Sequence, residues 1–148
     1  MKSIPYPDFW HLESAHGWLM LGNPREAARD LERIHPRYHA HPHVAEIRCR
    51  FLIEQKKWTQ ALDAAATQVI SAPDRPNSWI YFAFCLHELR QTKEAWEILT
   101  VAAKRFPKNH LIASNLACYA CHLREFKSAR RWVRRALKLL NHTEVLAS

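Results

Sequence analysis

The run Cys118-Tyr119-Ala120-Cys121-His122 gathers thiol and imidazole groups at a spacing with two chemical meanings. C-x-x-C-H is the pattern by which c-type haem is joined to a protein. Cys118 and His122 are also four apart, which on a helix places both on one face at metal-ligand spacing. A second concentration of imidazole lies at His35, His39, His41 and His43. Acyl- or phosphoryl-transfer chemistry has weaker footing. The chain has no Gly-x-Ser-x-Gly and only 2 Gly, too few for a Gly-rich phosphate loop. No nucleophile, base and orienting group can be placed from spacing, so no enzyme activity is expected.

What these groups can do depends on the elements that carry them. The chain has 148 residues, 48% of them hydrophobic, enough for one domain with a substantial core. Ala, Leu, Glu, Arg and Lys dominate and favour helix, so an all-α, soluble protein is expected. Charges or Pro interrupt every apolar run short of a membrane span. The start, MKSIPYPDFWHLE, has no apolar stretch of a secretory signal. A cytoplasmic location is expected, with Cys49, Cys85, Cys118 and Cys121 reduced.

The organising feature is a period of 34. Ala27, Ala61, Ala95 and Ala129 follow one another at that interval, each preceded twelve residues earlier by Ala15, Cys49, Ala83 or Ala117. Pro73 and Pro107 repeat the interval, and Asn141 takes the matching place in the last unit. Small residues at paired positions let two helices approach to about 8–10 Å. In the third unit Trp79, Phe82, Ala83 and Leu86 mark one helical stripe, and Ala95, Leu99 and Ala102 a second. The period predicts paired helices over 8–21 and 24–35, 42–55 and 58–72, 76–89 and 92–105, 110–123 and 126–140. One domain of four repeats, at 8–41, 42–75, 76–109 and 110–141, with a tail over 142–148, follows.

This pattern resembles the tetratricopeptide repeat (TPR). The motif W-x2-L-G-x2-Y…A-x3-F…P is met in unit three by Trp79, Phe82, Ala83, Leu86, Ala95, Leu99 and Pro107, and in unit four by Leu116, Ala117, Ala129, Val133 and Ala136. The motif's Gly never appears in its slot, and Gln68 stands where a third small residue belongs. The resemblance implies a right-handed α-solenoid whose first helices line a concave groove for a partner peptide or helix. It thus implies a protein-binding adaptor or scaffold. The groove would be lined by Phe9, His16 and Met20; by His43, Glu46, Arg50 and Glu54; by Asn77, Phe84, His87 and Glu88; and by Ser114, Cys118 and His122. The aliphatics Leu12, Leu19, Ile53 and Ile80 are shared between groove and core. A chaperone-carboxylate clamp is not expected, because its Lys, Asn and Arg places hold Leu12, His16, Ile47, Asn77 and Tyr81.

In this register Cys118 to His122 fall inside the first helix of unit four, next to the crossing residue Ala117. A porphyrin would need space and a second axial ligand there, and neither is indicated. Zinc would need His87 or Glu88 to converge on Cys118 and His122. No cofactor and no metal are expected, and the connector histidines read as a solvated loop.

Residues 1–100 carry 12 Lys+Arg against 12 Asp+Glu, and residues 101–148 carry 10 against 2, so the whole charge of +8 lies in the last third. On the last helix Lys127, Arg130, Arg131, Arg134, Arg135 and Lys138 fill one arc. That arc gives an alternative function, binding a polyanion such as nucleic acid or an anionic membrane. Trp132 and Leu139 are expected at the uncovered edge of the apolar arc, as a surface for self-association.

Overall fold

The computed structural model describes the backbone of residues 3–147 and the side chains of residues 3–142. Eight α-helices occur among the described residues, and no strand does: α1 (Asp8–Met20), α2 (Pro24–Arg33), α3 (Pro42–Glu54), α4 (Trp58–Ser71), α5 (Pro76–Glu88), α6 (Thr92–Arg105), α7 (His110–His122) and α8 (Phe126–Ala147). Every helix begins where the 34-residue period places it. Pro24, Pro42 and Pro76 open three of them, at a position where a missing N–H costs nothing. Asn23 and Asn109 cap α2 and α7 by accepting from the backbone N–H of Glu26 and Ile112.

Each hairpin turns the same way. Gly22, Lys56, Arg90 and Arg124, again 34 apart, all have positive φ, from 55° to 71°. The residue after each donates its N–H back to the helix, Asn23 to Trp18 and Gln91 to Leu86 at 2.8 Å, the closure of a Schellman turn. The helices then cross at the small residues. Ala15, Cys49, Ala83, Ala27, Ala61 and Ala95 are all 0% exposed, and the Cys49 thiol donates to the Ala61 carbonyl at 3.5 Å. A larger side chain at any of these places would force the backbones apart.

By its internal contacts the chain divides into two compact units, Met1–Ala72 and Pro73–Ser148. In unit one, Leu12, Leu31, Ile34, Val44 and Ile47 form a core with Trp18, Tyr38 and Phe51 packed against it. In unit two, Ala113, Ala136 and Leu139 pack with Trp132, and Leu99, Ile112, Leu116 and Tyr119 are buried. Each large apolar side chain so buried contributes about 1.5–3 kcal/mol.

Three expectations are corrected. The separate tail after 141 does not form, because α8 continues to Ala147; residues 141–147 contain neither Pro nor Gly to stop it. The sequence equally allows the tail to fold back with Val145 and Leu146 against the last helix, and those side chains lie outside the described ones. The exposed edge of α8 is also elsewhere. Leu139 is buried and Trp132 partly so, while Phe126, Val133, Leu137 and Leu140 are exposed. The hairpin partner α7 covers the side of the apolar arc toward Ala136 and leaves the other open. Finally, the connector is more ordered than a solvated loop. Pro36–Tyr38 is a 3₁₀ turn, His35 Nδ1 accepts from Arg37 N–H, and His41 Nδ1 accepts from His43 N–H.

Candidate functional site

The first helices of each unit carry the side chains singled out by the period. In unit one Phe9, Met20 and Glu54 are exposed, His16, His43 and Arg50 are half-buried, and Glu46 is buried. His43 Nε2 lies 3.9 Å from Glu13 Oε1, bringing α1 and α3 together. A hollow of about 360 Å³ is lined by Ser3, Ile4, Phe9, His41 and His43. Leu12 and Leu19 belong to the core.

In unit two, α5 and α7 lie side by side. Asn77, Phe84 and His87 are half-buried, and Glu88, Ser114, Cys118 and His122 are exposed. The His87 and His122 rings meet edge to face, with centroids 4.6 Å apart, and His87 lies 5.0 Å from the buried Tyr119 ring. Burial pushes the His87 pKa below its ordinary 6.5, and the facing His122 and Arg90 add to this while Glu88 opposes it. Its Nδ1 lies 2.9 Å from Thr92 Oγ1. Burial also raises the Cys118 thiol pKa, with Cys121 adding to it, so this thiol is not activated toward nucleophilic chemistry. Among the described residues no three His, Cys, Asp or Glu side chains are grouped to hold a metal ion. The surface carries imidazoles, a carboxylate and apolar side chains from α5 and α7.

The six cations of α8 are all exposed, and Arg135 donates to the Pro107 carbonyl at 2.9 Å. Arg130 and Arg134 border a hollow of about 330 Å³ whose floor is Cys121, Phe126, Ala129 and Val133. Among the described residues no helix is long and apolar enough to cross a membrane.

Two of the buried polar centres that escaped the sequence reading lie in unit one. Asp30, 5% exposed, accepts from Ser14 Oγ at 2.7 Å and Trp18 Nε1 at 3.1 Å, and pairs with His11 Nδ1 at 3.0 Å. Burial raises its pKa, but these three hydrogen bonds and the His11 charge outweigh it and leave the pKa lowered. The second centre is Arg48 with Gln68, at the wall of a cleft between α2, α3 and α4. The one signal for it was Gln68, a polar residue at a place that holds Ile34 in the first repeat, Ala102 in the third and Ala136 in the fourth.

No family model matches the chain, and no curated protein sequence matches it. Solved structures do. TTC0263, a thermophilic TPR protein of Thermus thermophilus, superposes with a TM-score of 0.82 at 17% identity, over 89% of this chain and 74% of that one. MamA from Desulfovibrio magneticus RS-1 gives 0.76 at 14%, over 91% and 76%. PilF of Pseudomonas aeruginosa gives 0.76 at 16%, over 88% of this chain and 60% of that one. Identities this low establish a shared fold. That fold is the all-helical, TPR-type repeat.

Proposed function

On a chain with the TPR-type repeat fold, we propose a non-enzymatic adaptor role. The four repeats act as one domain whose first helices bind a peptide or helix of a partner protein. The observation that carries this is the His87–His122 contact across α5 and α7. It brings α5 and α7 side by side, and on these helices the proposed wall comprises Asn77, Phe84, Glu88, Ser114 and Cys118. On α1 and α3 the corresponding surface comprises Phe9, His16, Met20, His43, Arg50 and Glu54. Such a wall is formed before the partner arrives, which lowers the ordering cost of binding. Peptides selected from a random display library should bind the full chain. His87→Ala and Phe84→Ala should each weaken the best of them about tenfold, as for central interface side chains. Selection of no sequence above background, or wild-type affinity for both variants, would remove this surface from consideration.

The exposed cations of α8 support a second reading, in which a polyanion binds there. Its signature is affinity for heparin or single-stranded DNA that falls linearly with the logarithm of salt. Self-association through α8 would use the exposed Val133, Leu137 and Leu140. A cytoplasmic setting suits the free thiols of Cys49, Cys85, Cys118 and Cys121.

A further inference from the structure

The cleft between α2, α3 and α4 has a volume of about 550 Å³ and includes none of the first-helix positions assigned above to partner binding. Its size is a consequence of register. The second repeat carries Ala45, Arg48 and Ala64 where the third carries Trp79, Phe82 and Ile98 and the fourth Ala113, Leu116 and Trp132. In the fourth repeat Trp132 packs on Ala113 and Ala136, the register mates of Ala45 and Gln68. The space left at that place, lined by Trp132 and Ala113, is about 120 Å³. In the first repeat the same places hold His11, Ser14 and Asp30, bonded to one another. The second repeat has the walls of this site and no side chain to fill it.

Two polar atoms in those walls lack partners. Gln68 is 5% exposed, and its Oε1 meets no donor among the described residues. Arg48 Nε is equally buried and meets no acceptor, although the Nη2 of the same guanidinium donates to the Leu31 carbonyl at 3.0 Å. A buried donor and a buried acceptor left open beside an apolar hollow are the usual marks of a place for a ligand. Glu32 already acts on the guanidinium charge, so a neutral group suits the hollow better than a second carboxylate.

We infer that this cleft is a docking site for an aromatic side chain of tryptophan type, presented by a partner peptide. The ring takes the place that Trp132 takes in the fourth repeat. Its N–H donates to Gln68 Oε1, and a peptide carbonyl accepts from Arg48 Nε, with the guanidinium flanking the ring. Exposed Glu32, His39, Thr67 and Ser71 line the cleft as well. They offer bonds to the main chain on either side of the ring, which a free small molecule would not use.

The test is a titration of the 15N-labelled full chain, followed by amide shifts. The ligands are blocked Gly-Gly-Trp-Gly-Gly, blocked Gly-Gly-Ala-Gly-Gly and N-acetyl-tryptophanamide. The tryptophan peptide should shift Ala45, Arg48, Phe51 and Gln68 and bind tighter than the free amide, and the alanine peptide should shift none of them. Gln68→Ala should weaken the tryptophan peptide about tenfold. Ala64→Trp, which fills the hollow from within, should abolish binding and melt no lower than wild type. Should Ala64→Trp fail to fold, Ala28→Leu narrows the cleft from the opposite wall and must also abolish binding. Absence of shifts at these four residues up to about 5 mM peptide overturns the proposal. So does equal or tighter binding of the free amide, which would mark a small-molecule site instead. A peptide selected on the first-helix wall should keep its affinity for Gln68→Ala, so the two readings fail separately.

Discussion

The first two hairpins of unit one share a backbone plan and differ in what they do with a buried charge. In α1–α2, Asp30 sits at 5% exposure with Ser14, Trp18 and His11 on its oxygens. In α3–α4, the register mate of Asp30 is Ala64, the charge sits on Arg48 instead, and part of its guanidinium has no partner. The helix starts, the positive-φ turn and the small crossing residues are the same in both. The 34-residue frame thus fixes the hairpin and leaves the layer beside the crossing free to vary. One repeat uses that freedom for an internal network, and the next leaves it open.

The comparison breaks most sharply by deleting each charge. Asp30→Ala strips an acceptor from Ser14, Trp18 and His11 at once. With about 1–3 kcal/mol for each buried group left unmet, partly relieved by water, a loss of about 3 kcal/mol is expected. Arg48→Leu removes a charge that is only partly satisfied and adds apolar surface to the hollow, as Leu116 does in the fourth repeat. It should cost less than about 1 kcal/mol, or stabilise. Urea melts of both variants decide it. Equal losses would mean that the two centres play the same structural part.

That contrast also marks how far the sequence could be read. All eight helix starts followed from Ala27, Ala61, Ala95 and Ala129, because a helix crossing tolerates only small side chains and so writes itself into composition. The Asp30 network did not, since Ser14, Trp18 and Asp30 gain their meaning from side-chain directions across two helices. For α8 the helical spacing separates an apolar arc from a cationic one. Which edge of the apolar arc α7 covers depends on helix rotation, and this reversed the expected exposure of Trp132 and Leu139. The period placed the first-helix residues on α1, α3, α5 and α7. The meeting of His87 and His122, however, depends on how closely α5 approaches α7, which no spacing within one helix reports.

A smaller effect separates Asp30 from His87 by pH. Asp30 has a lowered folded pKa, so its stabilisation is present above the unfolded value and fades as pH falls through the folded one, below 3.8. His87 also has a lowered folded pKa, but here the neutral form is the one the fold prefers. The unfolded chain then binds the proton more readily, and stability is full above 6.5 and falls as pH drops below it. Between pH 7.5 and 5.5 amide protection in α5 and α7 should therefore decline, while the Asp30 contribution to α1 and α2 persists. His87→Gln should flatten the decline in unit two. A decline unchanged by that substitution would move the acid-sensitive group elsewhere.

The smallest expected effect tests what the hairpins share. Gly22, Lys56, Arg90 and Arg124 hold φ of 71°, 55°, 66° and 61° at the same place in four turns. Left-handed backbone crowds a Cβ against the following carbonyl, a cost that glycine escapes and lysine or arginine does not. Glycine in turn gives up more freedom on folding, which returns part of the gain. Lys56→Gly, Arg90→Gly and Arg124→Gly should each raise stability by about 0.5–1 kcal/mol. Gly22→Ala should lower it by a similar amount. A Cβ there meets nothing within 4 Å, so the backbone alone is being tested. If the three gains agree with one another and oppose the Gly22 loss, the turns are equivalent and the repeats differ only in the layer beside the crossing. A gain at Lys56 well above the other two would show that the second repeat is strained in its turn as well as open in its cleft.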